Sequence, residues 1–303
     1  MKQANRFNSI SPGWNIALSI LLSLVGLLCL APMLLVIIIS VSGTESLSVN
    51  GYTFFPTSWT IESYKYLFKT GTQIWRGYRV TIAYSALNTI LSLFVMAMFS
   101  YVIAQKNFRM RKAFTMFAFF TMLFSGGLVP SYILNVKYLH LYDSFWIYIL
   151  PGLFGFYNCV ILRTFITSTI PDSLFEAAKI DGAGHFRIFF QIVMPLFKAG
   201  LATIGLFKLV GNWNDWFTGK LYIDNVNLIP LQTMLMRIMD SIQFIKENTA
   251  NLSDAQIKQI LKDMPTESTR MAITIVSVAP ILFAYPFFQR YFVSGLTIGS
   301  VKG

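Results

Sequence analysis

Lys208, Asn212, Asp215 and Gly219 stand at i, i+4, i+7 and i+11, so on one helix they share a stripe, with Trp213, Asn214 and Trp216 beside it. Such a set performs no covalent chemistry. Aromatic faces suit the CH surfaces of a sugar, and amides or a charge suit its hydroxyls and any carboxylate. The usual enzyme sites are missing from the sequence. His140 and His185 fall in loops expected on opposite sides of a membrane, and no carboxylate pair at acid–base spacing lies in an apolar segment. A phosphate-cradling loop needs Gly-x-x-x-x-Gly-Lys and then Ser or Thr. The nearest string, Gly219-Lys220, has Asn214 where the first glycine belongs, so no nucleotide cofactor is expected in this chain. Cys29 and Cys159 lie in apolar runs without metal-ligand spacing or a disulfide framework.

The elements that must carry the stripe are membrane spans. Of 303 residues, 55% are hydrophobic and only 12% charged, where soluble domains run about 25% charged. No charge occurs between Arg6 and Glu45, nor in Val80–Gln105, Ala113–Val136, Ser144–Leu162 or Met271–Gln289. Each run reaches the roughly 18 apolar residues that cross about 30 Å of hydrocarbon, which argues against buried helices of a soluble protein. The expected fold is all-α, a polytopic bundle of six spans near 16–41, 79–103, 113–135, 144–166, 199–220 and 271–290, forming a single transmembrane domain over 1–303. The first run is too long for a cleavable signal core and reads as a retained helix. Gly126-Gly127 and Pro130 interrupt the third span.

The net charge is +11, and its placement points to a membrane rather than to nucleic acid. With the N-terminus inside, both termini are cytoplasmic. The same side then collects Lys106, Arg109, Arg111, Lys112, Arg163, Lys179, Arg187 and Lys198 against only Asp172, Glu176 and Asp181. On the outer side, 221–268 carries an amphipathic helix with Leu231, Leu235, Ile238, Ile242 and Ile245 at helical spacing, lying on the membrane or against other spans. Ser253-Asp254-Ala255-Gln256 announces a second helix that Pro265 stops.

On the basic side, the loop at about 167–198 reads as two short helices meeting at an angle. Pro171-Asp172 starts one, Asp181-Gly182 ends it, and Phe186–Val193 makes the second, before Pro195. Small Ala177 and Ala178 beside Glu176 offer a face that a partner's groove can approach closely. The physical pattern alone leaves two readings open, a docking element or a helix pair that caps the bundle.

Glu176-Ala177-Ala178-x-x-x-Gly182, nine residues, then Ile192-x-Met194-Pro195 resembles the signature cytoplasmic loop of binding-protein-dependent ABC importer permeases, with Met194 where that family usually has leucine. Ser125-Gly-Gly-Leu-Val-Pro130, Gly211-Asn-Trp-Asn-Asp-Trp216 and the tail from Gln289 to Gly303 are similar to maltose-type carbohydrate permeases, most of all the complex-oligosaccharide branch. The resemblance implies a type I ABC importer permease fold in the bacterial cytoplasmic membrane. It implies four kinds of partner: a second homologous permease subunit, two cytoplasmic ATPase subunits that bind the ATP, an extracytoplasmic binding protein, and an oligosaccharide. Glu176, Ala177, Ala178, Asp181 and Gly182 would seat in one ATPase, the outer loop would touch the binding protein, and the tail at about 291–303 would reach between the ATPases.

Lys208 lies about ten residues into the fifth span, hence ~15 Å deep, where a lysine costs roughly 2.5–3.5 kcal/mol unless it faces the bundle or a wet cavity. It lines a path, where it would suit an acidic sugar, or it pairs with a carboxylate of the second permease. Asp215 is about 10 Å away along a helix axis, too far for direct pairing. An ion-coupled secondary transporter would need more ionisable groups at this depth than Lys208 and Asp215. That reading, and that of a non-transporting assembly subunit, leave the loop motif unexplained.

Overall fold

The computed structural model describes residues 12–70, 72–248 and 266–299. It divides into two compact units, Met1–Thr70 with Asn251–Val276, and Gly71–Ala250 with Ser277–Gly303. The helix expected from Ser253 to Pro265 lies outside the described residues.

In the first unit, α1 (Pro12–Ser40) is the long apolar helix, followed by short α2 (Thr44–Asn50) and α3 (Glu62–Thr70). The turn-rich segment between them is held by side chains. Ser46 Oγ accepts from Thr57 N at 3.0 Å, and the Ser40 and Tyr64 hydroxyls share a hydrogen bond at 2.8 Å. The start of the C-terminal helix (Glu267–Gly299) is tied in by Ser268 Oγ donating to Ser42 O at 2.7 Å and Tyr52 OH donating to Glu267 Oε2 at 2.8 Å. Gly43 sits against Ser58, whose Oγ would have to turn away from a Cβ placed there.

In the second unit, α4 (Thr72–Ala104) is the hub, with α7 (Phe156–Thr169) and α11 (Lys198–Trp213) packed along it. One face of α4 is polar yet buried: Thr81, Ser85, Asn88, Ser92 and Ser100 recur at steps of three, four or eight. Small and polar residues let membrane helices approach closely and bond across the gap. Ser100 Oγ does this, reaching Cys159 O on α7 at 3.0 Å.

The expected spans fall into more pieces than the sequence suggests. Thr72–Ala104 and Gly13–Ser40 can each cross a membrane as single helices. The third span is broken as expected. α5 (Arg111–Leu123) and α6 (Leu128–Ile133), with the π-helical turn Leu134–Tyr138 after it, meet at 111°, and Gly127 takes φ +86° between them. The fourth, read as continuous over 144–166, is not. Its first part is a 3-10 turn at Phe145–Tyr148, and helix resumes only at Phe156. Pro151 cannot donate its nitrogen and its ring collides with the carbonyl four residues back, and Gly152 and Gly155 add little to hold a helix there. The fifth, read as 199–220, stops at Trp213 and restarts as α12 (Phe217–Tyr222). The second loop helix, expected to end before Pro195, runs on as α9 (His185–Ile188), a π turn at Phe189–Val193 and α10 (Met194–Leu196). It meets α11 at 78°. Six spans are consistent with this set once the C-terminal helix and the interrupted segment around α7 are added to the two single helices and two bent pairs.

The amphipathic helix expected on the outer side is α13 (Leu231–Asn248). Leu231 is fully buried, its N–H donates to Thr81 Oγ1 at 3.1 Å, and its side chain covers Gly77 of α4. Arg237 donates to Ile223 O at 2.5 Å and Lys220 pairs with Asp240 at 2.7 Å, so α13 is pinned to α12.

A thiol-labelling experiment tests the topology in a cysteine-free background. Cysteines replacing Asn107 and Gly184 should both resist an impermeant reagent in intact cells, while one replacing Asn225 should label. The reverse pattern would invert the bundle.

Candidate functional site

The loop motif is an exposed turn standing on a buried foot. α8 (Asp172–Ile180) starts after Pro171, with Asp172 in its first turn. Lys106 meets Asp172 at 2.5 Å, both side chains well exposed, so the pair adds at most about 1 kcal/mol. The helix ends in a left-handed turn: Gly182 takes φ +75°, its N–H donates to Lys179 O at 3.0 Å, and Ala183 N donates to Ala178 O at 2.9 Å. Glu176, Ala177, Asp181 and Gly182 are exposed. Ala178, expected on the approachable face, instead belongs to the buried cluster that includes Tyr101, Ile188 and Phe189. At nine residues α8 is two and a half turns, so Ala177 and Ala178, 100° apart, point one outward and one inward. Beside the exposed residues, Ile180 and Phe186 are 86% and 73% exposed, an apolar rim that none of the described residues covers. Tyr101 OH and His185 Nδ1 share a hydrogen bond at 3.1 Å that ties the second loop helix to α4.

Deeper in the unit, the broken fourth segment meets α4 and α11 in a polar knot. Asn88 Nδ2 donates to Ile149 O at 2.9 Å and to Tyr148 O at 3.2 Å. Ser92 Oγ reaches Gly152 O at 3.1 Å, and Lys208 Nζ donates to the same carbonyl at 2.8 Å. Asn212 Nδ2 donates to Asn88 Oδ1 at 2.9 Å. Tyr84 stacks on Tyr148 with ring centroids 4.7 Å apart and donates its hydroxyl to Asn212 O. The side chains of α4 and α11 thus supply partners to the carbonyls left open where the helix is broken around Pro151.

The residues expected along one stripe do not share one surface. Lys208 and Asn212 sit on α11 and face the knot. Trp213 is buried, its indole N–H donating to Ser277 O at 2.8 Å. Asn214 is exposed just past the helix end, where Nδ2 donates to Val210 O at 2.9 Å. Asp215 Oδ1 accepts from Thr218 N at 3.0 Å in the first turn of α12, while Asn214 N still donates to Val210 O at 3.1 Å, so the ladder holds as far as Asn214 and restarts beyond Asp215. Trp216 is partly exposed, with Lys220 Nζ 5.6 Å from its ring centroid. Gly219 faces Thr233 and Tyr148, at 2.3 and 2.9 Å from where a Cβ would stand. The sequence reading missed Tyr84, Asn88, Ser92, Tyr148 and Gly152. The signal was present as Ser85, Asn88, Ser92 and Ser100 at helical period inside a charge-free run, beside Pro151-Gly152 in another. Among the described residues no cluster of three or more His, Cys, Asp or Glu could hold a metal ion.

Residues 86–298 match the family described as binding-protein-dependent transport system inner membrane component. The chain is 33% identical over 277 residues to the polygalacturonan/rhamnogalacturonan transport system permease protein YtcP of Bacillus subtilis, covering 91% of this chain and 94% of that one. It is 34% identical over 279 residues to protein LplC of the same organism, covering 92% and 91%. It also superposes on a chain from the crystal structure of a bacterial ABC transporter involved in the import of the acidic polysaccharide alginate. That match has a TM-score of 0.78 at 27% identity, covering 94% of this chain and 99% of that one.

The knot makes a stability prediction. Asn88→Leu is nearly isosteric but strands the Tyr148 and Ile149 carbonyls, each costing about 1–3 kcal/mol when buried and unpaired, and leaves the Asn212 amide only its longer bond to Thr89 Oγ1 at 3.3 Å. The purified protein in detergent should melt several degrees lower, whereas Asn214→Leu, at an exposed position, should melt within about a degree of wild type.

Proposed function

The chain belongs to the family of binding-protein-dependent transport system inner membrane components, and on that footing we propose that it forms half of a path for an acidic oligosaccharide. It is a permease component of an ABC importer. The observation that carries the acidic reading is Lys208. Its ammonium is half-buried beside Gly152, held by a neutral carbonyl and by no carboxylate among the described residues. A lysine so placed keeps an unspent capacity for an anion, and a uronate supplies one. The relatives that handle galacturonan and alginate support this reading.

In this mechanism the interrupted segment around Gly152 is the gate and α11 its lever. Lys208 and Asn212 hold it from one helix, and that helix follows, after a bend, the second loop helix, which Tyr101 anchors to α4. Two ATPase subunits closing on ATP would seize the exposed residues Glu176, Ala177, Asp181 and Gly182, with the Ile180 and Phe186 rim filling an apolar cleft. Ala178 carries the motion because it is packed rather than because it is touched. Turning α11 relative to α4 exchanges the carbonyl on Lys208 for the sugar's carboxylate and loosens the segment. Trp216 and Asn214 stand at the outer end of the same helix, where a binding protein would release its load. A second homologous permease subunit would close the other half of the path, and both termini would lie in the cytoplasm.

Two measurements test this. Glu176→Lys and Gly182→Arg should leave the complex assembled while abolishing the stimulation of ATPase activity by loaded binding protein. Coupling retained in both would remove the loop from the mechanism. Lys208→Met should assemble normally, because Ser92 still serves Gly152. It should lower uptake of an acidic oligosaccharide about tenfold or more relative to a neutral one of equal length, the size of one charge-assisted hydrogen bond of about 1.5–3 kcal/mol. Loss of the second permease on purification would instead make Lys208 a subunit tie. Undiminished transport of every sugar would end the pathway assignment.

A further inference from the structure

The end of the second unit that carries the loop motif holds a separate cavity of about 550 Å³ between the turn before α5, the first turns of α5, and α7. Four cations line it: Arg109, Arg111, Lys112 and Arg163. No carboxylate lines it, and among the described residues none of the four forms an ion pair. Helix stability does not account for them, since Arg111 and Lys112 stand in the first turn of α5, where the helix dipole disfavours positive charge. Arg163 is the most telling. It sits on α7 about 9 Å before the Thr169 end, half-buried, and no acceptor among the described residues takes its guanidinium. A half-buried arginine without a partner is costly unless an anion from outside completes it. Thr115 lines the same cavity and its hydroxyl also has no hydrogen-bond partner among the described residues.

The walls of the cavity identify the anion's source. Met116 and Phe119 line it too, and from there Met116, Phe117, Phe120 and Phe124 continue along α5 as an exposed apolar stripe. We propose that this cavity binds the phosphate headgroup of an anionic phospholipid, with its acyl chains lying along that stripe. The cations supply the charge that selects the headgroup, and the guanidiniums of Arg111 and Arg163 can take its oxygens in paired hydrogen bonds. A free phosphate would leave the apolar wall and stripe uncovered. The bound lipid would tie α5 to α7, just before α7 hands over to the loop motif.

The test uses the assembled transporter in nanodiscs of phosphatidylcholine doped with phosphatidylglycerol, with retained lipid counted by native mass spectrometry. Wild type should retain phosphatidylglycerol selectively. Arg111→Gln with Arg163→Gln should lower retention about tenfold or more, while Lys198→Gln, an exposed cation outside the cavity, should not. If the double variant fails to assemble, Lys112→Gln carries the test with an expected loss of about fivefold. Equal retention of phosphatidylcholine would reduce the site to an apolar groove, and displacement of the lipid by inorganic phosphate would reduce it to an anion site. Loss of the ATPase subunits from the variants would assign it to a protein partner. Each of these results overturns the proposal.

Discussion

A backbone break inside an apolar segment has to be repaired by the protein itself, because hydrocarbon offers no hydrogen bonds. The architecture of the second unit follows from how this chain repairs the break at Pro151-Gly152. Three carbonyls are freed, and they are met by one asparagine and one serine of α4 and one lysine of α11. That requirement fixes where α4 and α11 can sit, since a slide of one turn, about 5.4 Å, would separate every donor from its acceptor. It also bears on why a lysine survives at this depth: its ammonium finds an acceptor in the Gly152 carbonyl, which it shares with Ser92. Close packing reinforces the arrangement where side chains would not fit, as at Gly219 under Thr233.

The division of labour in the loop motif follows the same logic on a smaller scale. A coupling element must be gripped from outside and must transmit what it receives, and neighbouring alanines on a helix of nine residues do one job each. Ala177 leaves room for a partner, and Ala178 leaves none between α8 and the core. The left-handed glycine that follows lets the chain reverse within two residues, so the second loop helix packs back on Tyr101 without a flexible linker that would absorb movement.

Charge-free runs in the sequence marked the membrane class, and the glycines and prolines marked the third-span break, because both are properties of single residues or of composition. The start and stop of α8 were equally legible, from Pro171 at one end and Gly182 at the other. The breaks at Pro151-Gly152 and at Asn214 were not. A proline in an apolar run is compatible with a kinked continuous helix, and what decides against it here lies elsewhere in the chain, at Asn88, Ser92 and Lys208. The single stripe from Lys208 to Gly219 failed for the matching reason: it assumed one continuous helix, and Tyr84, from α4, holds the Asn212 carbonyl that the next turn would have used. Contacts at long sequence separation are what periodicity within one element cannot report.

That separation also sets an order of events during synthesis. Asn88 meets its acceptors at Tyr148 and Ile149 only after about sixty further residues have been made, and meets Asn212 after 124. α4 therefore enters the bilayer with its polar face unanswered, and its Thr81, Asn88 and Ser92 must be sheltered by the insertion machinery or by water until the later segments arrive. Release of α4 into lipid before residues 148–152 have emerged would leave Asn88 and Ser92 without their carbonyl acceptors, and Thr81 waits longer still, for Leu231. A ribosome stalled before Asn212 would hold α4 with that face only partly paired.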